Sequence, residues 1–266
     1  MKLRDRVAVV TGGGRGIGKA ICKAFAEEGA DVVIASDVEA EVKSVAEEVE
    51  KAGQQALAVV ADVTNPDDIN RMVEKVVERF GHVDILVNNA GVVGKRFFIH
   101  QSDDDIWRKT IEVNLFGTYN CTKAFLPFMI EKSKGCIINM ASISGKQPSP
   151  TNSAYCASKH AVIGLTRTLA AELGMLGQMN ITANAICPGV VNTDMLTGKG
   201  MILDEVATLL GKTRNAVLEE TIKPMSIQRR VFDPEEIADM AVYLASDSAR
   251  GITGQAINVC GGSVFY

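Results

Sequence analysis

The chain has 266 residues, 47% of them hydrophobic and 23% charged, enough to bury a large core within one α/β domain. A net charge of −4 and the lack of any basic stripe with interleaved aromatics argue against a nucleic-acid partner. No apolar run approaches the ~20 residues that cross a bilayer, and the charges at Lys2, Arg4, Asp5 and Arg6 leave no signal-peptide core. The six cysteines form no C-x-x-C pair, so the expectation is a cytoplasmic protein with free thiols, no disulfides and no metal.

Residues 7–11 are a short apolar run feeding Gly12-Gly13-Gly14-Arg15-Gly16-Ile17-Gly18, and residues 19–28 have helical character. Strand, tight turn and helix in this order propose a dinucleotide site. Gly12, Gly16 and Gly18 let the backbone turn sharply and approach a ligand, while free N–H groups of the helix face a pyrophosphate. Residues 31–36 read as a buried parallel strand, 39–51 as a helix stopped by Gly53, and 56–60 as a third strand. Asp62 follows, then a Thr64/Asn65 cap and a helix opened by Pro66, with Ile69, Met72, Val73, Val76 and Val77 on one face. This alternation predicts a doubly wound, Rossmann-like parallel sheet, seven strands in all, with right-handed crossovers and helices on both faces.

Residues 83–87 are the fourth strand, ending in Asn88-Asn89-Ala90-Gly91, and 103–132 are predicted as one long helix that Pro127 interrupts or kinks. Strand five spans 136–140. A loop rich in Ser, Gly and Pro leads into a helix over 154–173, and strand six, 181–186, ends in Cys187-Pro188-Gly189. Residues 190–230 have weaker periodicity, with helices at 201–210 and 214–222. They read as a substrate-binding lid inserted into a single domain covering 1–266. A helix over 234–245 and a strand over 256–259 complete the chain. Ligands of parallel sheets collect at the carboxyl ends of the strands, where the glycine turn, Asp37, Asp62, Asn88, Ser142 and Pro188-Gly189 all fall.

Tyr155 and Lys159 stand four residues apart, on one face of a helix, and Ser142 at the end of strand five can meet them across the sheet edge. A free tyrosine has a pKa of ~10, so a base at neutral pH needs it lowered by up to ~3 units, or ~4 kcal/mol. The adjacent Lys159 ammonium in a desolvated pocket is expected to supply much of this. His82, His100 and His160 lack metal-ligand spacing, Asp103-Asp104-Asp105 reads as compensation of a helix dipole, and Cys156 and Cys187 read as small packed hydrophobes.

The motifs Thr11-Gly12-x-x-x-Gly16-x-Gly18, Asn88-Asn89-Ala90-Gly91, Asn114, Ser142, Tyr155-x-x-x-Lys159 and Pro188-Gly189 occur in one order and spacing over essentially the whole chain. Together they make it resemble a short-chain dehydrogenase/reductase. The resemblance implies an NAD(P)-dependent enzyme acting on CH–OH groups. Tyr155 would be the acid/base and Ser142 would hold the substrate oxygen. Lys159 would bind the nicotinamide ribose and depress the Tyr155 pKa, and Asn114, by its main chain in a kinked helix, would position a water. The resemblance also sets Gly12, Arg15, Gly16, Ile17 and Gly18 at the phosphate turn and Asp62 and Val63 beside adenine. Asn88, Ala90 and Gly91 would run along the cofactor, with Pro188, Gly189, Val190 and Thr193 near the carboxamide. A homotetramer is implied too. The family's terminal Asp-Gly-Gly is here Cys260-Gly261-Gly262.

The substrate expected is a small or medium secondary alcohol of polyol, sugar-derived or hydroxy-acid type, or its ketone. The alternative is an NADPH-dependent 3-ketoacyl-thioester reductase of fatty-acid type. A mouth built for an acidic carrier protein should be basic, and only Lys95, Arg96, Arg229 and Arg230 offer themselves. A non-catalytic dinucleotide-sensing regulator is a third reading, against which Ser142, Tyr155 and Lys159 argue. For the cofactor, Asp37 favours NAD by accepting from the ribose hydroxyls and repelling a 2′-phosphate. Arg15 and the displacement of Asp37 by one residue, with Ser36 in the usual place of the acid, pull toward NADP. NAD is the expected cofactor, with NADP second.

Overall fold

Apolar side chains in the strands sort by alternation onto two faces, and that sorting sets the layers. In the computed structural model, which describes residues 1–266, Ala8, Val10, Val32, Ile34, Ile85 and Val87 enter one core with Ile21, Phe25, Val42, Val45 and Ile237. Val7, Val9, Val33, Ala35 and Leu86 enter the other, against Met72, Val76, Phe125, Met129 and Leu169.

The strands β1 (Val7–Thr11), β2 (Asp31–Ser36), β3 (Ala56–Val60), β4 (Ile85–Asn88), β5 (Gly135–Met140), β6 (Ile181–Pro188) and β7 (Ala256–Val259) form one sheet in the order β3-β2-β1-β4-β5-β6-β7. Every pairing is parallel. Helices α1 (Gly16–Glu27) and α2 (Glu39–Lys51) cover the first face, and α3 (Pro66–Phe80) the second. The strand order reverses between β1 and β4, which opens a crevice at their carboxyl ends.

The helix predicted as continuous over 103–132 is instead α4 (Asp104–Ile111), a π-helical turn (Glu112–Phe116) and α5 (Gly117–Lys132). Pro127 lies inside α5 and does not end it. The interruption falls at Asn114, whose carbonyl accepts from Thr118 Oγ1 at 2.9 Å within the widened turn. Next come α6 (Ser153–Met175), α7 (Asp194–Thr197), α8 (Ile202–Leu210), α9 (Arg214–Val217) and α10 (Pro234–Ala245).

Other boundaries move by a residue or two. Strand β4 begins later than expected because Asp84 bonds β1 from outside the ladder, its carboxylate accepting from Val7 N at 2.9 Å. Strand β6 runs on through Cys187 and Pro188, which pair with Asn258 and Val259 of β7. Asn65 caps α3, accepting from Asp67 N at 2.9 Å, and Asp103 caps α4, accepting from Ile106 N at 3.0 Å.

Between β6 and α10 the chain makes an excursion with a small core of its own, Leu196, Leu203, Val206, Val217 and Ile222. Helix α9 continues there as a π turn over Leu218–Ile222. The ends of the excursion are held together where Phe232 N donates to Val190 O at 2.9 Å and Asn192 N to Phe232 O at 2.8 Å. No helix is long and apolar enough to cross a membrane.

Candidate active site

The glycine turn after β1 closes against the end of β4. Gly12 has φ +62°, and a Cβ there would lie 2.8 Å from the Ala90 Cα. One on Gly18 would lie 2.1 Å from the Gly12 carbonyl oxygen. Asn89 clasps the turn, its amide donating to Thr11 O at 3.1 Å and Gly12 O at 3.0 Å. Helix α1 follows Arg15, an N-cap residue that makes no side-chain cap, and has no acid in its first turn, so its leading N–H groups stay free for a ligand. A backbone cradle that excludes side chains, in front of an uncapped helix end, fits the pyrophosphate of a dinucleotide.

Ser142 follows β5 in extended conformation, caps the short turn Ile143–Gly145, and accepts from Ser144 N at 3.1 Å. Tyr155 and Lys159 occupy successive turns of α6. All three line a cavity of about 180 Å³ together with Ile17, Asn89, Gly91, Pro188, Gly189, Val190 and Thr193. The excursion contributes Met195, Leu196, Ile202, Ile222 and Met225 to the same cavity.

Lys159 is 4% exposed, and its ammonium donates to the Met140 carbonyl at 2.7 Å, 5.6 Å from the centroid of the Tyr155 ring. Burial lowers its pKa to about 8. Burial also pushes the Tyr155 phenol above its ordinary value, against the opposing pull of Ser142 and Arg96. The depression of Tyr155 expected from Lys159 is therefore not realised in this state. The ammonium is engaged with Met140, is itself poorly solvated, and desolvation governs the phenol.

Asn114 is fully buried. Its Oδ1 accepts from Val92 N at 2.8 Å, and its Nδ2 donates to Val92 O at 2.9 Å and to Ser158 Oγ at 3.0 Å. Ser158 in turn donates to the Tyr155 carbonyl at 2.8 Å, so the π turn is tied through one hydroxyl to the helix that carries Tyr155.

Asn88 turns away from the cavity. Its amide donates to Thr122 Oγ1 at 2.9 Å and Asn139 Oδ1 at 2.8 Å, and Asn139 donates to Thr166 Oγ1 at 2.9 Å, which braces α5 and α6 across the sheet. Asn89, not singled out from the sequence, faces the cavity in its stead, as does the buried Asn152. Asn89 stands next to Asn88, and a period-two count along β4 separates the inward from the outward asparagine, whereas Asn152 lies in an aperiodic loop that carries no such signal.

Farther along the sheet edge, Asp37 is exposed beyond β2. Asp62 accepts from Thr64 N at 2.8 Å and Thr64 Oγ1 at 2.7 Å. Burial works against its charge, yet these bonds hold its carboxyl below the usual range. Val63 packs under Gly117 at the start of α5. Arg15 is largely exposed and lies 3.9 Å from Glu41.

Cys260 is buried beside Ile143 and Val264, a small apolar group where the family has a carboxylate. Burial raises the Cys187 thiol, while the half-buried Cys156 accepts from Ser149 N at 3.3 Å. No three His, Cys, Asp or Glu side chains stand close enough together to hold a metal ion.

The family model for short chain dehydrogenase matches residues 6–201. A 3-oxoacyl-[acyl-carrier-protein] reductase of Thermotoga maritima is 38% identical, covering 99% of this chain and 100% of its own. A (2S)-[(R)-hydroxy(phenyl)methyl]succinyl-CoA dehydrogenase subunit of Thauera aromatica is 37% identical, covering 100% and 99%. Among solved structures, a variant of actinorhodin polyketide ketoreductase with NADPH superposes with a TM-score of 0.91 at 36% identity over 98% of both chains. With the glycine cradle, the Ser142-Tyr155-Lys159 cluster and matches of this extent, the chain belongs to the short-chain dehydrogenase/reductase family and is an NAD(P)-dependent oxidoreductase acting on CH–OH groups.

Proposed function

We propose that the enzyme interconverts a small or medium secondary alcohol and its ketone with NAD as the preferred cofactor. The observation that carries this reading is the convergence of Ser142, Tyr155 and Lys159 on one cavity that also contains the Pro188–Val190 corner. The bound nicotinamide supplies the hydride chemistry. Ser142 orients the substrate oxygen. Tyr155, a neutral phenol near pH 7 as its ordinary pKa of ~10 requires, donates its proton to that oxygen in reduction and takes it back in oxidation. Lys159 anchors the ribose side of the site, and Asn114 fixes the α6 turn bearing Tyr155. The 190–230 excursion, pinned at both ends, acts as the lid over the substrate.

Gly12, Gly16, Ile17 and Gly18 would hold the pyrophosphate, and Asp62 and Val63 the adenine side. Ala90, Gly91, Gly189, Val190 and Thr193 would follow the rest of the cofactor. For the 2′ position, Arg15 already leans on Glu41, so a 2′-phosphate would meet the Asp37 and Glu41 carboxylates with one partly neutralised arginine. A like charge ~5 Å from a phosphate opposes it by about 3 kcal/mol at an effective dielectric of ~20, and an exposed arginine returns about 1 kcal/mol.

The second reading, a 3-ketoacyl-thioester reductase, is favoured by the names of relatives such as the Thermotoga maritima enzyme. Charge at the mouth speaks against carrier docking. Arg96 is turned into the cavity and Arg230 is held by Glu236 at 2.6 and 2.7 Å, which leaves Lys95 and Arg229. A dinucleotide-sensing regulator is excluded by any steady-state turnover.

Tyr155→Phe is expected to lower turnover ~10²- to 10⁴-fold with cofactor binding nearly intact. Single-turnover kinetics and cofactor titration on the folded variant check this, and retention of more than about a tenth of the activity removes Tyr155 from its role. Comparing kcat/KM for NAD and NADP tests the cofactor assignment. The wild type should prefer NAD by about tenfold or more and Asp37→Ala should move toward NADP; a wild type that prefers NADP, or a variant that does not move, refutes it. The tetramer that the family implies would pair the outer faces of α4–α5 and α6, where Phe116 and Tyr119 are exposed. Light scattering should give a mass well above the 28.5 kDa of one chain, and a value at 28.5 kDa contradicts the assembly.

A further inference from the structure

Arg96 reaches the cavity wall from the segment after β4, where its side chain is half-buried. Nη1 donates to Pro150 O at 3.2 Å and Thr151 Oγ1 at 3.4 Å, while the buried Nε has no acceptor. No salt bridge neutralises it. The acid facing it is Glu205, on α8 of the excursion, whose Oε2 is also buried without a partner and whose carboxyl is held above its usual range by burial.

A half-buried cation whose Nε donor is unmet, and whose facing acid makes no salt bridge to it, gains from a ligand that brings a hydrogen-bonded opposite charge. The planar fork of arginine matches the paired oxygens of a carboxylate or a phosphate, and the apolar walls given by Val93, Met195, Leu196 and Met225 strengthen such a pairing. Tyr155 and Ser142 line the same small cavity, so a group held at Arg96 belongs to the molecule that reacts at Tyr155.

We infer that the substrate carries an oxyanion, a carboxylate or a phosphate monoester, besides its reacting alcohol or ketone, and that Arg96 binds it. This rests on the alcohol/ketone reading above and narrows it to hydroxy acids or phosphorylated polyols. Glu205 is the counter-charge that the oxyanion displaces on binding.

The test uses the enzyme saturated with reduced nicotinamide cofactor and two matched pairs, 3-oxobutanoate against 3-oxobutanamide and dihydroxyacetone phosphate against dihydroxyacetone. Binding is read from the fluorescence of the bound nicotinamide and turnover from its absorbance. At least one anion should bind about tenfold or more tightly than its neutral partner, a ratio that collapses toward one in Arg96→Gln and survives in part in Arg96→Lys. Glu205→Gln should tighten the anion. The pair with the larger ratio identifies carboxylate or phosphate. Equal affinity of anion and neutral partner in the wild type, or a preference unchanged in Arg96→Gln, overturns the inference. Anions that bind through Arg96 without any ketone being reduced would refute the alcohol/ketone reading and leave the oxyanion site standing.

Discussion

Burial of the Lys159 ammonium against a backbone carbonyl, with no carboxylate to neutralise it, is the constraint on which the rest of the site depends. A lysine whose pKa falls from 10.5 to about 8 carries a penalty on its charged form of roughly 3 kcal/mol. The penalty is tolerated because α6, 23 residues long, is fixed to the sheet by Val162, Leu169 and Leu173, and because β5 presents the Met140 carbonyl at the end of its ladder. That docking brings Tyr155 to Ser142, and everything on the crevice side of the sheet is arranged around the result.

Polar bonds hold this arrangement in addition to the apolar core. The π turn at Asn114 aims one side-chain amide at Val92 and Ser158 together, so the strand end that follows β4 and the helix bearing Tyr155 move as one piece. Asn88, Thr122, Asn139 and Thr166 do the same one layer deeper. Buried amides with their partners in place fix a unique packing. A site whose groups must lie within a few tenths of an ångström of one another gains more from such bonds than from additional aliphatic contacts.

Much of this was legible in the sequence because its signals are local. Apolar runs such as Val32 to Ala35 specify strands, and the glycine turn sits where the fold needs a backbone without Cβ. The i, i+4 spacing of Tyr155 and Lys159 survives intact on α6. Read from the residues alone, the break in the helix over 103–132 falls at Pro127, because proline has a known steric effect and a π turn has no composition of its own; only the family resemblance points to a kink at Asn114, where the π turn lies. Spacing brings Lys159 near Tyr155, but it does not show what engages the ammonium, since the Met140 carbonyl that accepts from it lies 19 residues away in sequence. Arg96 was read as a mouth charge, since nothing in the aperiodic segment around it tells an inward from an outward arginine.

The most direct measurement is the unfolding free energy of the protein, without ligands, against pH for the wild type and Lys159→Met. Between pH 8 and 10.5 the unfolded chain keeps the lysine proton and the folded chain releases it. The wild type should therefore gain stability relative to the variant as pH rises through that window, by up to roughly 3 kcal/mol. Two curves that run parallel from pH 8 to 10.5 would contradict a buried, unpaired Lys159 and the site built upon it.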